Sequence, residues 1–406
     1  MVELTGSGGC LAHAHHSSIE GAEIMTELTL DALRDKLADP EWAAIRVEAT
    51  YQPSGGPGAR VYPPTFPTAG DDSSYLPSED RWRDGVLHKT KVLDQVPSQA
   101  NRCEEAEARA WRQGVIRMPM LRMTHENAAS FELIGLEAPH RAFDAYWRDC
   151  ELGGVEFDRT EIGKAILAAS LEDATALLTY DPATLVYGGW NSQRKGRQAK
   201  FPRLYASEMI GWDPVEGERK AGRMDPANLT GSRSGDGDNW TYSPVSEKKK
   251  DTKLSEIGHG NIAPKKPIHG GVTISEATRT AVLSLTATRR LGFGSMDPAA
   301  VEVARALLVA FGLLGDRLAF GDAGLWLRSG CDLVMQAEQL EWIGRGGVAE
   351  SFALSPSAAV HLYEDALQAA LDAGVPLHLE TVELKPNKAL SQAIDFSLTK
   401  AESTGE

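Results

Sequence analysis

The spacing of apolar and polar residues along the chain predicts helices and strands that alternate through the sequence. Helices are predicted at 29–38, 98–113, 161–173, 297–314 and 355–374, each with a candidate capping residue, and also at 139–148. Strands are predicted at 44–51, 184–187, 272–274, 325–328 and 377–384. Residues 204–210 suit either a strand or a helix, because the run is too short to show a period. This interleaving predicts an α+β or α/β fold.

Helix starts are the most local of these signals. Thr29, Ser98 and Thr160 each precede an amphipathic run, where a side-chain oxygen can accept from a free backbone N–H. Asp297 precedes Pro298, and proline is favoured at the first helical position. Either Ser355 or Ser357 opens the helix that ends near Gly374. These residues are therefore predicted to be N-caps.

The stretch 213–269 differs in composition from the rest of the chain. It is rich in Gly, Asp, Asn, Ser and Lys, has few large apolar residues, and includes the basic run 248–250. A long segment without periodicity inside a folded protein is usually functional or disordered. We therefore predict a single domain over 25–400 with a flexible basic insertion at 213–269. Residues 1–24 are predicted to be a flexible extension, and residues 401–406 a disordered tail.

Charge is unevenly distributed along the 406 residues, whose formal net charge is −15. Residues 190–290 contain 18 Lys and Arg against 11 Asp and Glu, a net charge of +7, so the remaining residues carry −22. A net acidic protein disfavours nucleic-acid binding as a whole, but a local basic region is typical of a polyanion site. Composition alone favours a simpler interpretation, in which the basic region is solvated surface.

Hydropathy and cysteine usage indicate a soluble protein of a reducing compartment. No run of about 18 apolar residues predicts a membrane span. The longest apolar run, 304–314, contains Arg305 and Gly312 and is predicted to be a core helix. The four cysteines are scattered without metal-site spacing. We therefore expect a cytoplasmic location and no membrane contact.

Motif searches give no catalytic or cofactor site. The sequence lacks a P-loop, a dinucleotide-binding glycine motif, a nucleophile elbow and a zinc-protease helix motif. His13, His15 and His16 lie in the predicted N-terminal extension and are interpreted as at most an incidental chelator. No catalytic residue, cofactor or metal is therefore predicted.

Several short strings combine arginine, glycine and planar polar side chains, the chemistry that grips a phosphate backbone. His140 and Asp144 are predicted to share one helical face. The candidate RNA-binding residues are Asn101, Arg102, His140, Arg141, Trp190, Arg194, Lys195, Arg197, Lys200, Arg203, His259, Asn261, Arg279, Arg289 and Arg290. The alternative interpretation is structural: Asn101 and Arg102 cap and pair within the fold, Arg141 pairs with Asp144, and Tyr146 and Trp190 are core residues.

In chain order, the strings are Tyr62-Pro63-Pro64-Thr65-Phe66, Gln99-Ala100-Asn101-Arg102, His140-Arg141 with Asp144-Ala145-Tyr146, Tyr187-Gly188-Gly189-Trp190, Lys200-Phe201-Pro202-Arg203, Gly258-His259-Gly260-Asn261 and Gly270-Gly271-Val272-Thr273 through Arg289-Arg290-Leu291. Their order and spacing closely resemble one protein family, the backbone RAMP subunit of the CRISPR Cascade complex in its type I-G (formerly I-U) subtype. The resemblance covers about residues 28–385.

This resemblance implies a modified RNA-recognition-motif core, a βαββαβ ferredoxin-like sheet, with large finger and thumb insertions. It also implies that several copies stack head-to-tail along one guide RNA (crRNA) and hold its backbone while its bases pair with target DNA. The implied partners are that RNA, the target DNA as a heteroduplex, further copies of the chain, other Cascade subunits and a recruited helicase-nuclease. Such a subunit is not an enzyme.

Two other functions remain compatible with the sequence. One is an RNA-processing endonuclease of the same superfamily, with His125, His140 or His259 as the general base. The other is an unrelated acidic protein whose basic region, including Arg194, Lys195, Arg197 and Arg203, is only solvated surface.

Overall fold

A computed structural model describes residues 26–67, 74–126, 128–191, 199–220, 222–234, 240–244, 252–262 and 268–404. The extension predicted at 1–24, with its three histidines, lies outside these residues. So do Arg194, Lys195 and Arg197. The last helix continues to Thr404. Residues 401–404 are therefore helical, where the sequence suggested a disordered tail.

Ten α-helices are present among the described residues. They are α1 Leu30–Ala38, α2 Val96–Arg112, α3 Ala145–Arg148, α4 Glu161–Ala168, α5 Thr175–Tyr180, α6 Pro182–Tyr187, α7 Leu285–Arg289, α8 Pro298–Phe320, α9 Pro356–Asp372 and α10 Lys388–Thr404. Thr29, Thr160, Asp297 and Ser355 cap α1, α4, α8 and α9 with their side-chain oxygens. These four predicted caps are confirmed, and Ser355 is the residue that opens α9.

The strands are mostly short, and most of them are antiparallel. They are β1 Trp42–Pro53, β2 Arg60–Val61, β3 Phe66–Pro67, β4 Ser74–Tyr75, β5 Ser78–Arg83, β6 Val86–Asp94, β7 Met120–His125, β8 Ala128–Ile134, β9 Cys150–Leu152, β10 Val155–Glu156, β11 Gly189–Trp190, β12 Lys200–Phe201, β13 Tyr205–Trp212, β14 Val215–Arg219, β15 Ser232–Ser234, β16 Thr241–Ser243, β17 Thr252–Lys253, β18 Ile268–Thr273, β19 Ala277–Ser284, β20 Gly324–Arg328, β21 Cys331–Gly344, β22 Ala349–Phe352 and β23 Thr381–Pro386. Helices and strands together confirm an α+β chain.

The main sheet has the order β20-β21-β1-β19-β13-β6-β5, with β22 beside β21. Its central strand, β1, alternates in burial: Ile45 and Val47 are buried, whereas Glu48 is exposed. Such alternation is typical of a sheet with one covered and one open face. The strand predicted at 44–51 is therefore confirmed.

Four strands at the centre of this sheet have a characteristic order. Along the chain they are β1, β13, β19 and β21. Across the sheet they lie in the order β21, β1, β19, β13, so the fourth strand in the chain is followed by the first, the third and the second. Every neighbouring pair is antiparallel. Helix α2 comes between the first two strands, and α8 between the last two. Both helices pack against the sheet and against each other, so they cover the same face.

A second sheet has five strands in the order β10-β9-β23-β7-β8. Four of them, β7 to β10, lie between α2 and β13 in the chain, and the fifth, β23, comes from near the C-terminus. In it β23 runs parallel to β7, with Val382 opposite Leu121. The strand predicted at 377–384 is thus present but begins at Thr381.

Helix α8 is the centre of the hydrophobic core. It is long and apolar enough to cross a membrane by composition, but 72% of its most apolar window is buried inside the fold. The prediction of a core helix at 304–314 is confirmed, and the helix extends to Phe320.

Three predicted elements differ from the structure. Residues 184–187 belong to helix α6 instead of a strand. The Asp181 side chain caps this helix by accepting a hydrogen bond from the Thr184 N–H, and Pro182 occupies its first position. Residues 139–148 contain only a 3-10 turn and α3, and Asp144 is the N-cap of α3, so it does not share a helical face with His140. Helix α2 begins two residues before Ser98, which donates to Asp94 at 2.7 Å instead of capping.

The described parts of 213–269 contain more regular structure than the sequence suggested. Strand β14 follows β13 in the chain, and β18 precedes β19. The two strands β14 and β18 pair antiparallel with each other, and β18 also pairs with β2. Gly271 has φ +81°, and a Cβ there would lie 2.7 Å from the Val61 carbonyl oxygen. A residue with a side chain would therefore not fit at this crossing.

Candidate nucleic-acid interface

Arg279, a predicted phosphate contact, lies in the interior between β19 and α8. It is 0% exposed, and its Nη1 donates to Asp316 Oδ2 at 2.7 Å. Burial alone would raise the pKa of Asp316, but the charges of Arg279 and Arg317 hold that pKa below its usual range. Arg279 is therefore a structural cation in this fold and offers no surface to RNA.

The Gln99–Arg102 string continues this internal network. Ser207 donates to Gln99 at 2.8 Å, and Gln99 donates to Asp94 at 2.6 Å. Arg102 pairs with the same carboxylate at 2.7 Å and donates to the Leu327 carbonyl oxygen at 2.9 Å. Arg102 thus ties α2 to the edge strand β20, as the structural interpretation held. Asn101 is exposed on α2.

Arg141 is also buried, and its partner is Glu104 instead of Asp144. Its Nη2 lies 2.7 Å from Glu104 Oε2, and its Nη1 donates to the Gly188 carbonyl oxygen at 2.9 Å. Burial raises the pKa of Glu104 to about 7, although Arg141 opposes the rise. Burial likewise raises the pKa of Asp181 to about 6. His140, next to Arg141, is exposed.

Trp190 and Lys200 form an exposed aromatic–cation pair on the β11–β12 hairpin. Trp190 is 51% exposed, and the Lys200 Nζ lies 5.2 Å from the centroid of its ring. The alternative that Trp190 is a core residue is therefore wrong. Arg203 follows directly and is exposed. An exposed indole beside cations can stack on a base while the cations face phosphate.

The glycines before this hairpin are shaped by packing within the protein. Gly188 has φ +89°, and a Cβ there would lie 2.8 Å from Arg203 Cγ. The sequence suggested that these glycines let the backbone approach a phosphate. The structure instead shows a close approach to the protein's own Arg203 side chain and Phe201 backbone.

Arg289 and Arg290, the last two of the predicted RNA-binding residues, lie at the end of α7. Arg289 donates to the carbonyl oxygens of Leu37 at 3.1 Å and Trp42 at 2.6 Å, so it fixes the end of α1. Arg290 is exposed and lines a cleft of about 440 Å³ together with Arg305. Arg305 was not predicted as a site residue. Its only sequence signal was a single charge inside the apolar run 304–314.

His259 and Asn261 lie in the small region that holds β15, β16 and β17. The His259 ring is 6.1 Å from the Trp240 ring, and both residues are exposed. Asn261 accepts from the Asp225 backbone N–H at 2.7 Å and donates to Asn228 at 2.5 Å. Asn261 therefore shapes a turn, while His259 and Trp240 offer two rings to solvent.

The open face of the main sheet carries arginines that are already paired with carboxylates. Arg46 contacts Glu341 at 2.5 Å, Arg81 contacts Glu208 at 2.9 Å, and Arg83 pairs with Glu276. An RNA phosphate would have to displace these carboxylates. The available cations thus lie beyond this face, at the β11–β12 hairpin and the end of α7.

The three candidate histidines are spread over separate elements. His125, in β7, is 5% exposed and its Nε2 lies 2.6 Å from Asp395 Oδ1 on α10. Within the described ranges no contact joins it to His140 or His259. No group of three or more His, Cys, Asp or Glu side chains is placed to hold a metal ion in that same part of the chain.

One comparison with known proteins bears on these features. Residues 45–215 match the model of a family described as CRISPR-associated protein GSU0053 (Cas_GSU0053). The matched range begins in β1 and ends just after β13. No curated protein matches the sequence. The match indicates a CRISPR-associated protein family and supports a role for this chain in a CRISPR system.

Proposed function

We propose that this chain is a guide-RNA-binding backbone subunit of a CRISPR surveillance (Cascade) complex of the type I-G class. The observation that carries the proposal is the match of residues 45–215 to a CRISPR-associated family. That range includes the first two core strands, β1 and β13, and helix α2 between them. In this role the chain is a scaffold in the cytoplasm and has no catalytic residue, cofactor or membrane contact.

The strand order supports this proposal. Four antiparallel strands in the order fourth, first, third, second, with α2 after the first and α8 after the third, match a βαββαβ ferredoxin-like arrangement, the frame of an RNA-recognition motif. On that frame, residues 54–95, 113–204 and 213–276 lie between core elements. We assign 113–204 to the finger and the stretch 213–269 to the thumb.

The exposed cations support a grip on backbone phosphates. Lys200, Arg203 and Arg290 are exposed, and none of them forms an ion pair in the part of the chain that the structure describes. Cations without a carboxylate partner can pair with phosphate at a lower cost in displaced interactions. Phosphate contacts fix position without reading sequence. A guide strand of any sequence could therefore be held, with its bases free to pair with target DNA.

In the proposed assembly, further copies of the chain lie head-to-tail along one crRNA. Other Cascade subunits bind the ends of the RNA, target DNA pairs as a heteroduplex, and a helicase-nuclease is recruited. The acidic remainder of the chain, at −22, repels RNA away from the grip.

The test is purification of the full chain, co-expressed with its partner subunits and a CRISPR array. We expect an absorbance ratio that reveals nucleic acid, and sequencing of the extracted RNA should give one uniform length. Protein that purifies with its partners but without nucleic acid would overturn the proposal. A matched control is the same preparation without the array, which should lose the uniform RNA.

The same preparation also tests the nuclease alternative. Purified protein is incubated with repeat RNA, and the products are resolved on a denaturing gel. We expect no cleavage. Cleavage that is abolished by His140→Ala or His259→Ala alone would replace the scaffold with an RNA-processing endonuclease.

A further inference from the structure

A cleft lies at the end of the core sheet where β19 runs into α7. Its volume is about 440 Å³, within the range of roughly 300–1,000 Å³ typical of small-molecule sites. Leu171, Leu204 and Leu291 give it an apolar floor, and Arg290 and Arg305 line the same space. A cleft with both properties suits a ligand that has an apolar body and a negative group.

The protein satisfies the Arg305 guanidinium only in part. Its Nη2 donates to the Leu291 carbonyl oxygen at 2.8 Å, but its Nε is buried without a hydrogen-bond partner in the described residues. Burial lowers the pKa of Arg305, Glu302 opposes that change, and Arg289 adds to it. A buried donor without an acceptor destabilises the folded protein. An anion at this position would supply the missing acceptor and offset the repulsion from Arg289.

A second cavity of about 170 Å³ shares Arg305 with the first. Arg34 and Arg289 line it, and Arg289 is held rigidly by the carbonyl oxygens of Leu37 and Trp42. The two cavities together have four arginines, Arg34, Arg289, Arg290 and Arg305, and two carboxylates, Glu172 and Glu302. The formal excess is therefore two positive charges, which suits a phosphate.

The two cavities suit different parts of a nucleotide. The apolar floor suits a base and its sugar, and a guanidinium can stack on the face of a base. The arginine-lined side matches phosphate, which guanidinium groups bind in a forked geometry. Apolar and stacking contacts of this kind do not distinguish one base from another, so binding should depend little on base identity.

One residue of the proposed RNA grip also lines the cleft. Pro202 lines it and stands in the chain between Lys200 and Arg203, two of the exposed cations of that grip. A strand bound at the β11–β12 hairpin would therefore have the cleft nearby.

We propose that this cleft, defined by Leu171, Leu204, Leu291, Arg290 and Arg305, holds one nucleotide of the bound RNA, with its base on the apolar floor and its phosphate at Arg305. This inference rests on the proposed RNA-binding function and assigns a specific pocket to it. In this assignment the phosphate at Arg305 belongs to an RNA strand. The competing assignment is that the cleft binds a free nucleotide.

The test uses the full chain and a fluorescent single-stranded RNA, with affinity measured by anisotropy. We expect Arg305→Gln to weaken binding about 10- to 100-fold, the range for hydrogen bonds to charged groups, and Arg305→Lys to weaken it less. Leu171→Trp, at a position that is 42% exposed, should fill the cleft without unfolding the protein and should also weaken binding. Lys385→Gln, in the second sheet, is the matched control and should bind like the wild type.

The outcomes separate the pocket from the function. If Arg305→Gln and Leu171→Trp bind RNA within twofold of the wild type while Lys200→Gln weakens it, the pocket assignment fails and the RNA-binding proposal stands. If the wild type does not bind RNA, both fail. Adenosine monophosphate is the second probe: a rise in melting temperature that Arg305→Gln abolishes, with unchanged RNA affinity, would assign the cleft to free nucleotides and overturn the strand assignment.

Discussion

Arg279 on β19 and Asp316 on α8 form an ion pair, 2.7 Å between Nη1 and Oδ2, at the fully buried junction of the core sheet and its central helix. The same carboxylate also accepts from Arg317 Nε at 2.9 Å, and Arg317 reaches Glu338 on β21 at 2.6 Å. One carboxylate thus serves two guanidinium groups, and the network joins α8 to two of the four core strands.

Removal of Asp316 should therefore cost more stability than removal of Arg279. Asp316→Asn leaves two buried guanidinium groups without their shared charge, and we expect a loss of about 3–5 kcal/mol in the free energy of unfolding. Arg279→Met leaves Asp316 paired with Arg317 and should cost less. Urea unfolding of both variants checks the order. Arg148→Met, which breaks an exposed pair with Asp149, is the control and should cost less than about 1 kcal/mol.

Gly188 gives a test of whether the glycine string is structural. Gly188→Ala places a Cβ 2.8 Å from Arg203 Cγ at φ +89°, and we expect a loss of about 1–3 kcal/mol. Gly114→Ala is the matched control, because Gly114 also has positive φ but its Cβ would meet no atom within 4 Å. Thermal unfolding should show the larger loss for Gly188→Ala. Equal losses would mean that backbone conformation alone matters there.

The accuracy of the sequence predictions follows how local each signal is. The caps Thr29, Thr160 and Asp297 were predicted correctly, because a cap depends on residues only two or three positions apart. Helix α6 was mistaken for a strand because all six of its residues are buried and no polar face shows its period. Strand β21 was not predicted, since much of its length carries polar, exposed residues.

The site residues were harder to assign because burial depends on distant partners. Arg279 and Arg141 look like free cations in the sequence, but Asp316 and Glu104, each 37 residues away, neutralise them in the interior. Arg305 shows the opposite case. Its helix was predicted as core, and only the fold brings it beside Arg34 and Arg289. A single sequence does not contain these pairings.

The buried carboxyl group of Glu104 should make stability depend on pH. Burial raises its pKa to about 7 in the folded protein, against about 4.3 for a free glutamate, so the folded state holds the proton more tightly. The contribution of this tighter proton binding to the free energy of unfolding is complete below pH 4.3 and is lost as the pH rises through 7. The Glu104→Gln variant cannot ionise, so its free energy of unfolding does not fall for this reason.

We therefore expect the stability difference, Glu104→Gln minus wild type, to increase from pH 5 to pH 8, by an amount of the order of 3 kcal/mol. Melting temperatures measured across this range give the slope. Glu105→Gln, on the exposed side of the same helix, is the control and should show no such change. A difference that is constant with pH would mean that Arg141 keeps Glu104 ionised throughout.

The salt dependence of RNA binding distinguishes phosphate contacts from base stacking at the β11–β12 hairpin. For a single strand, log affinity falls with log salt concentration, and each phosphate contact adds about 0.7 to the magnitude of that slope. The double variant Lys200→Gln with Arg203→Gln should therefore reduce the magnitude of the slope by about 1.4. Trp190→Ala should weaken binding by about 1–3 kcal/mol, the value of one stacked base, and leave the slope nearly unchanged. Lys385→Gln with Lys164→Gln removes two exposed charges elsewhere and should change neither quantity. If the hairpin is only solvated basic surface, the double variant and the control will give the same slope, and Trp190→Ala will bind like the wild type.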